Sequence, residues 1–109
     1  MMGQTLPLEL LSARAAEVAE MLKMLANEQR LLLLCRLTQG ACSVTELIEV
    51  CGLSQSCVSQ HLAKLRLSGI VNTRREGTMI FYTLADKNVQ MLIDTLCERF
   101  GPPAITSGP

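Results

Sequence analysis

Between Ser43 and Gly69 the chain reads SVTELIEVCGLSQSCVSQHLAKLRLSG, two helical patterns with one tight turn between them. Ser43 and Glu46 have the S-x-x-E form of a capping box, in which two side chains satisfy each other's backbone N–H groups at a helix start. The helix VTELIEVC stops at Gly52, because glycine takes the left-handed conformation that ends a helix without steric cost. Ser54 caps a longer helix, QSCVSQHLAKLRLS, which stops at Gly69. Two helices joined by so short a Gly-containing turn form a helix-turn-helix. The second of them has to split its surface between a core and whatever lies outside.

The flanking segments supply the rest of a domain. After a loose start through residues 1–7, residues 8–25 (LELLSARAAEVAEMLKML) place Leu11, Ala15, Val18, Leu22 and Leu25 at helical spacing. Asn27 caps EQRLLLLCRL, whose Leu31 to Leu34 run is apolar nearly all the way round, as a helix buried mid-domain would be. Downstream, IVNTRR and TMIFYTL lie on either side of Glu76-Gly77 and read as a β-hairpin, with Arg74 and Arg75 at its turn. Asp86 caps a last helix with Val89, Leu92, Ile93 and Leu96 on one face. The tail, residues 101–109 (GPPAITSGP), has the composition of a disordered segment. The expected fold is mainly α with a small β-hairpin, in the order α-α-α-α-β-β-α, one domain over residues 8–100.

Composition narrows the function classes. Of 109 residues 49% are apolar, enough for a real core in one small domain, and with no Trp that core is aliphatic. The longest strongly apolar run, Leu31 to Cys35, is far short of the roughly 20 residues of a membrane span, and no secretory leader opens the chain, so a cytoplasmic protein without membrane contact is expected. Five cysteines (Cys35, Cys42, Cys51, Cys57, Cys97) without a CxxC repeat point to thiols rather than to a disulfide framework or a zinc ribbon. An enzyme is not indicated. There is no Gly-rich phosphate loop, the one histidine has no evident nucleophile and acid partner, and no cofactor is expected.

Ten Lys and Arg balance ten Asp and Glu, yet the charge is unevenly spread. Residues 1–53 hold four cations and six anions, residues 81–109 hold two and three, and residues 54–80 hold Lys64, Arg66, Arg74 and Arg75 against Glu76 alone. At about 100° per residue, Val58, Leu62 and Leu65 face the core, which turns Gln55, Ser56, Ser59, Gln60, Ala63 and Lys64 outward. Amides, hydroxyls and an ammonium can bond base edges in a major groove, and Ala63 permits close approach. A solvated helix face would ordinarily carry acids, and none occurs between Ser54 and Arg75. His61 falls on the flank of this face, where a packed histidine bonded to backbone or phosphate is favoured over a metal ligand. Arg66, Arg74 and Arg75 are placed to meet phosphates, whose contacts supply most sequence-independent affinity for double-stranded DNA.

Three blocks, LKMLANEQRLLLLCRL, LSQSCVSQHLAKLRLSGIV and TRREGTMIFYTL, together resemble the ArsR/SmtB family of winged-helix repressors from about residue 15 to residue 100. The resemblance implies a homodimer through the first and last helices, presenting two reading helices to an inverted-repeat operator. The sequence itself contributes only an apolar surplus on those helices. The resemblance also implies an effector. Where the family can carry a cysteine pair for metal, this chain has Ser43-Val44-Thr45, and where it can carry a second metal site, Asp86 is accompanied by Asn88, Arg99 and Pro102, so neither site is intact and no metal is expected.

Cys35 within LLLLCRL and Cys97 on the last helix resemble the thiol-switch branch of that family, regulators of the BigR, SqrR and HlyU kind, implying a response to reactive sulfur species or oxidants. In that branch the second cysteine would fall at Gly101, so Cys97 lies one helical turn, about 6 Å, early. Bridging requires Cα atoms within about 7 Å. Two ordinary core cysteines would explain the same pattern, sluggish in apolar surroundings unless a cation such as Arg36 or Arg99 is near. A rearranged metal or metalloid site among the five cysteines, with Cys51 and Cys57 flanking the helix-turn-helix turn, and a winged helix that binds protein rather than DNA stand as the rival readings.

Overall fold

The leucine run lies on a helix at the centre of the molecule. The computed structural model describes residues 6–101, so the expected tail beyond residue 101, and residues 1–5, lie outside the described residues. Its elements are α1 (Pro7–Ser12), α2 (Ala15–Leu25), α3 (Glu28–Leu37), β1 (Cys42–Ser43), α4 (Val44–Cys51), α5 (Gln55–Leu67), β2 (Val71–Glu76), β3 (Met79–Leu84) and α6 (Lys87–Phe100). Leu33, Leu34 and Leu37 of α3 are buried, and α2, α4, α5, α6 and β3 all pack on this helix. Leu32 is the exception in the run, at 46% exposure.

Each helix start expected from the sequence is made by its own side chain. Asn27 accepts from the backbone of Arg30, Ser54 from that of Cys57, and Asp86 from those of Asn88 and Val89. The capping box is closed in both directions, Ser43 Oγ accepting from Glu46 N and Glu46 Oε1 from Ser43 N. Gly52, at φ 69° and ψ 26°, ends α4 in the left-handed region and turns the chain toward α5.

Two expectations are corrected. The helical stretch over residues 8–25 is two helices, broken at Ala13 and Arg14, where Arg14 leaves the helical region at φ −125°. No residue of α1 is buried, so no packing holds it in line with α2. The sheet has three strands, not two: Cys42 and Ser43 pair antiparallel with Tyr82 and Phe81, giving the order β1-β3-β2. A two-residue strand is too short to leave a period in the sequence.

The hairpin turn consists of Gly77 and Thr78, enclosed by the Glu76–Met79 pair, and Gly77 takes the positive φ that primed hairpin turns need. On the far side of α2 and α6, apolar side chains remain in water: Leu8, Leu10 and Leu11 of α1, Leu22 of α2, and Met91, Leu92 and Leu96 of α6. A groove of about 910 Å³ runs between α1, α2 and α6 along this face. No helix among the described residues is long and apolar enough to cross a membrane.

Because α3 is enclosed on every side but one, truncating Leu34 to Ala should lower unfolding free energy by about 2–5 kcal/mol. Truncating Leu32, already half in water, should cost less than about 1 kcal/mol. Urea midpoints of the two variants against the unmodified chain provide the comparison.

Candidate nucleic-acid interface

The division of α5 into a buried and an exposed side expected from helical angles is present. Val58, Leu62 and Leu65 are fully buried, and Gln55, Ser56, Ser59, Gln60, Ala63, Lys64 and Arg66 are exposed. None of the polar side chains among these seven is hydrogen-bonded to another described residue, so their donors and acceptors stand free in a row along one helix. No acidic side chain lies on α5. The face offers a polyanion donors without repulsion.

The wing differs from expectation. Arg74 and Arg75 lie within β2, not at the turn, and successive strand residues point to opposite faces. Arg75 is exposed, paired across the sheet with Ile80, and has no ion-pair partner among the described residues. Arg74 stands over the Phe81 ring, 5.7 Å from its centre, and its Nε lies 2.9 Å from Glu76 Oε2. Both members of that pair are more than half exposed, so the pair is worth less than about 1 kcal/mol and a phosphate can displace Glu76.

His61 is turned away from the open face. It is half-buried against α3, with Nε2 2.9 Å from Gln29 Oε1 and Nδ1 3.4 Å from Arg30 Nη1. Within the chain its partners are two side chains of α3 rather than backbone. Arginine can only donate, so Nδ1 is the acceptor, Nε2 carries the hydrogen, and the Gln29 atom facing it is the oxygen. Burial, then the Arg30 charge, then the Lys64 charge push the imidazole below its ordinary range, which favours its neutral form. The same Gln29 oxygen accepts the Cys57 thiol at 3.0 Å. Gln29 and Arg30 were not legible as site residues, since polar side chains in a helix's first turn read as solvated.

The two cysteines singled out in the sequence meet. Cys35 Sγ on α3 and Cys97 Sγ on α6 lie 2.9 Å apart, both as free thiols, so the one-turn offset of Cys97 still brings the sulfurs together. The hydrogen bond to Cys35 is the main reason the Cys97 thiol is pushed up to about 11, with burial and the neighbouring Cys35 and Asp94 charges adding to it. Arg36 acts elsewhere, lowering Cys42 and Cys51, whose thiols burial nevertheless holds above the ordinary range. Asp86 is occupied in capping α6, Pro102 lies outside the described residues, and among the described residues no three His, Cys, Asp or Glu side chains converge as metal ligands.

Comparison with known proteins agrees with this geometry. Residues 27–73 match the family described as "Bacterial regulatory protein, arsR family". The chain is 44% identical over 94 residues to the transcriptional activator HlyU of Vibrio cholerae, covering 86% of this chain and 87% of that one. It is 46% identical over 98 residues to the biofilm growth-associated repressor of Agrobacterium fabrum, covering 90% and 84%. Among solved structures, the transcriptional repressor BigR from Xylella fastidiosa superposes with a TM-score of 0.82 at 42% identity, over 87% of this chain and 97% of that one. All three are regulators of transcription rather than enzymes. The chain belongs to the arsR family of bacterial regulatory proteins.

Proposed function

We propose that this arsR-family regulator is a dimeric repressor that reads an inverted-repeat operator through α5 and the wing, and whose grip on DNA is set by the thiol state of Cys35 and Cys97. The observation that carries the thiol control is the 2.9 Å approach of the two sulfurs. A disulfide bond is about 2.05 Å long, so closure asks the sulfurs to move by about 0.9 Å. The chemistry balances with either class of effector. Hydrogen peroxide takes two electrons and two protons from the two thiols and leaves as two waters. A persulfide, RSSH, is attacked at its sulfur by one thiol, and attack by the second closes the bridge, releasing RSH and hydrogen sulfide. Cys97, pushed up to about 11, has to give up its proton before its sulfur can attack in either step.

The bridge would tie α3 to α6. The α6 helix also carries Met91, Leu92 and Leu96, part of the exposed apolar face suited to a second copy. Two copies related by a two-fold axis would offer two α5 helices to an inverted repeat, which supports the operator symmetry. Repression rather than activation is part of this proposal; one matched relative is named an activator and another a repressor. Among the described residues no side-chain cluster favours a metal-responsive alternative.

The thiol claim is checked by treating reduced protein with a low-molecular-weight persulfide or peroxide and titrating operator DNA. The unmodified chain should lose two hydrogens within one polypeptide by mass spectrometry and change operator affinity, whereas Cys35→Ser should do neither. An unchanged affinity after bridging would end the thiol reading and leave DNA binding intact.

The DNA claim is checked by salt dependence. Arg75→Ala should flatten the slope of log affinity against log salt by about 1, the loss of one phosphate contact. Gln60→Ala should lower affinity for the operator by about 1–3 kcal/mol while leaving non-cognate binding in place. Glu76→Gln, which frees Arg74 and removes the wing's anion, should tighten binding at low salt.

A further inference from the structure

The polar joint between α3 and α5 makes no contact expected of a DNA surface and takes no part in the thiol pair, yet it is the directional part of an otherwise aliphatic interface. Val58, Leu62 and Leu65 seat α5 in the core through non-directional contacts, which hydrophobic side chains can remake after a small roll of the helix. Hydrogen bonds weaken steeply with misalignment. At this joint Cys57 and His61, four residues apart on α5 and so about 6 Å along its axis, both donate to the single Gln29 oxygen, at 3.0 and 2.9 Å. Two donors one turn apart meeting at one point constrain both the roll of α5 and its position along its axis. The oxygen's two lone pairs are thereby both used. Arg30 holds the imidazole in the tautomer that the arrangement needs.

We propose that Gln29 is the positioning residue of the reading helix: its carboxamide oxygen sets the angle at which Gln55, Ser56, Ser59, Gln60 and Lys64 meet the bases, and thereby the sequence selectivity of DNA binding. This rests on α5 being the reading helix and is independent of the thiol switch. Base-edge recognition tolerates errors of about 0.5 Å and 10–20°. The two hydrogen bonds contribute modestly to stability. Loss of Gln29 therefore affects discrimination between sequences more than it affects folding or phosphate contact.

The test uses the full chain kept reduced, a duplex selected by that chain from a random-sequence pool, and a shuffled duplex of the same length and composition. Gln29→Met keeps the side chain's bulk and removes the acceptor. It should bind the selected duplex about tenfold more weakly and the shuffled duplex unchanged, the size expected for one misaligned base contact. Cys57→Ser, which keeps a donor to the same oxygen, should keep the selectivity of the unmodified chain. In the DNA-free protein, amides of residues 55–67 should exchange with deuterium faster in Gln29→Met, while those of α4 do not.

Unchanged selectivity in Gln29→Met, equal weakening on both duplexes, or a Cys57→Ser loss as large as that of Gln29→Met would each overturn the proposal. If the unmodified chain selected no duplex, the DNA reading itself would fall. The exchange measurement would then decide the joint, with unchanged α5 exchange in Gln29→Met overturning it.

Discussion

A helix whose Leu33, Leu34 and Leu37 are sealed from water, and which five other elements cover, cannot shift without shifting its neighbours, because protein interiors are packed nearly as densely as crystals of small molecules. That constraint gives α3 its place in the molecule. Toward its first turn it holds Gln29 and Arg30, which engage α5 through Cys57 and His61. Toward its last turn it holds Cys35, which meets Cys97 of α6. The helix proposed to face DNA and the helix bearing the apolar surplus are thus both seated on one rigid element, about 9 Å of helix separating the two points of attachment.

Much of this was legible because the signals are local. Asn27, Ser43 with Glu46, Ser54 and Asp86 each bond a backbone N–H two or three residues away, so residue type and spacing suffice to place four helix starts. The face of α5 was equally legible, since Val58, Leu62 and Leu65 define its buried side by angle alone. What escaped depends on contacts across the fold. His61 sits at the edge of the apolar stripe, and only the arrival of α3, some thirty residues earlier in the chain, turns it inward. The break at Arg14 follows from α1 having nothing to pack against, which no periodicity records.

The wing was misplaced for a similar reason. A hairpin centred on Glu76-Gly77 puts Arg74 and Arg75 at the turn, whereas the register pairs Glu76 with Met79 and leaves the two arginines in the ladder on opposite faces. One residue of register decides which arginine reaches outward alone and which lies over Phe81 against Glu76. The partition of charge between the central segment and its flanks survives this change. On α2, Lys23 pairs with Glu20, and just before it Arg14 pairs with Glu17, so those cations are spent locally.

A chain with no net charge gains little from long-range attraction to DNA, and in 0.15 M salt exposed charges act over only about 8 Å in any case. Affinity then has to come from groups at the surface of contact, which rewards an acid-free α5 whose outward polar side chains are bonded to no other described residue. The same shortness of range separates the two activities proposed for the fold. A disulfide between Cys35 of α3 and Cys97 of α6 would carry no charge and so cannot influence phosphates electrostatically. In the reading proposed above it can act on DNA only mechanically, through packing and through how two copies are held, which is why its placement on the most enclosed helix matters more than its distance from the reading face.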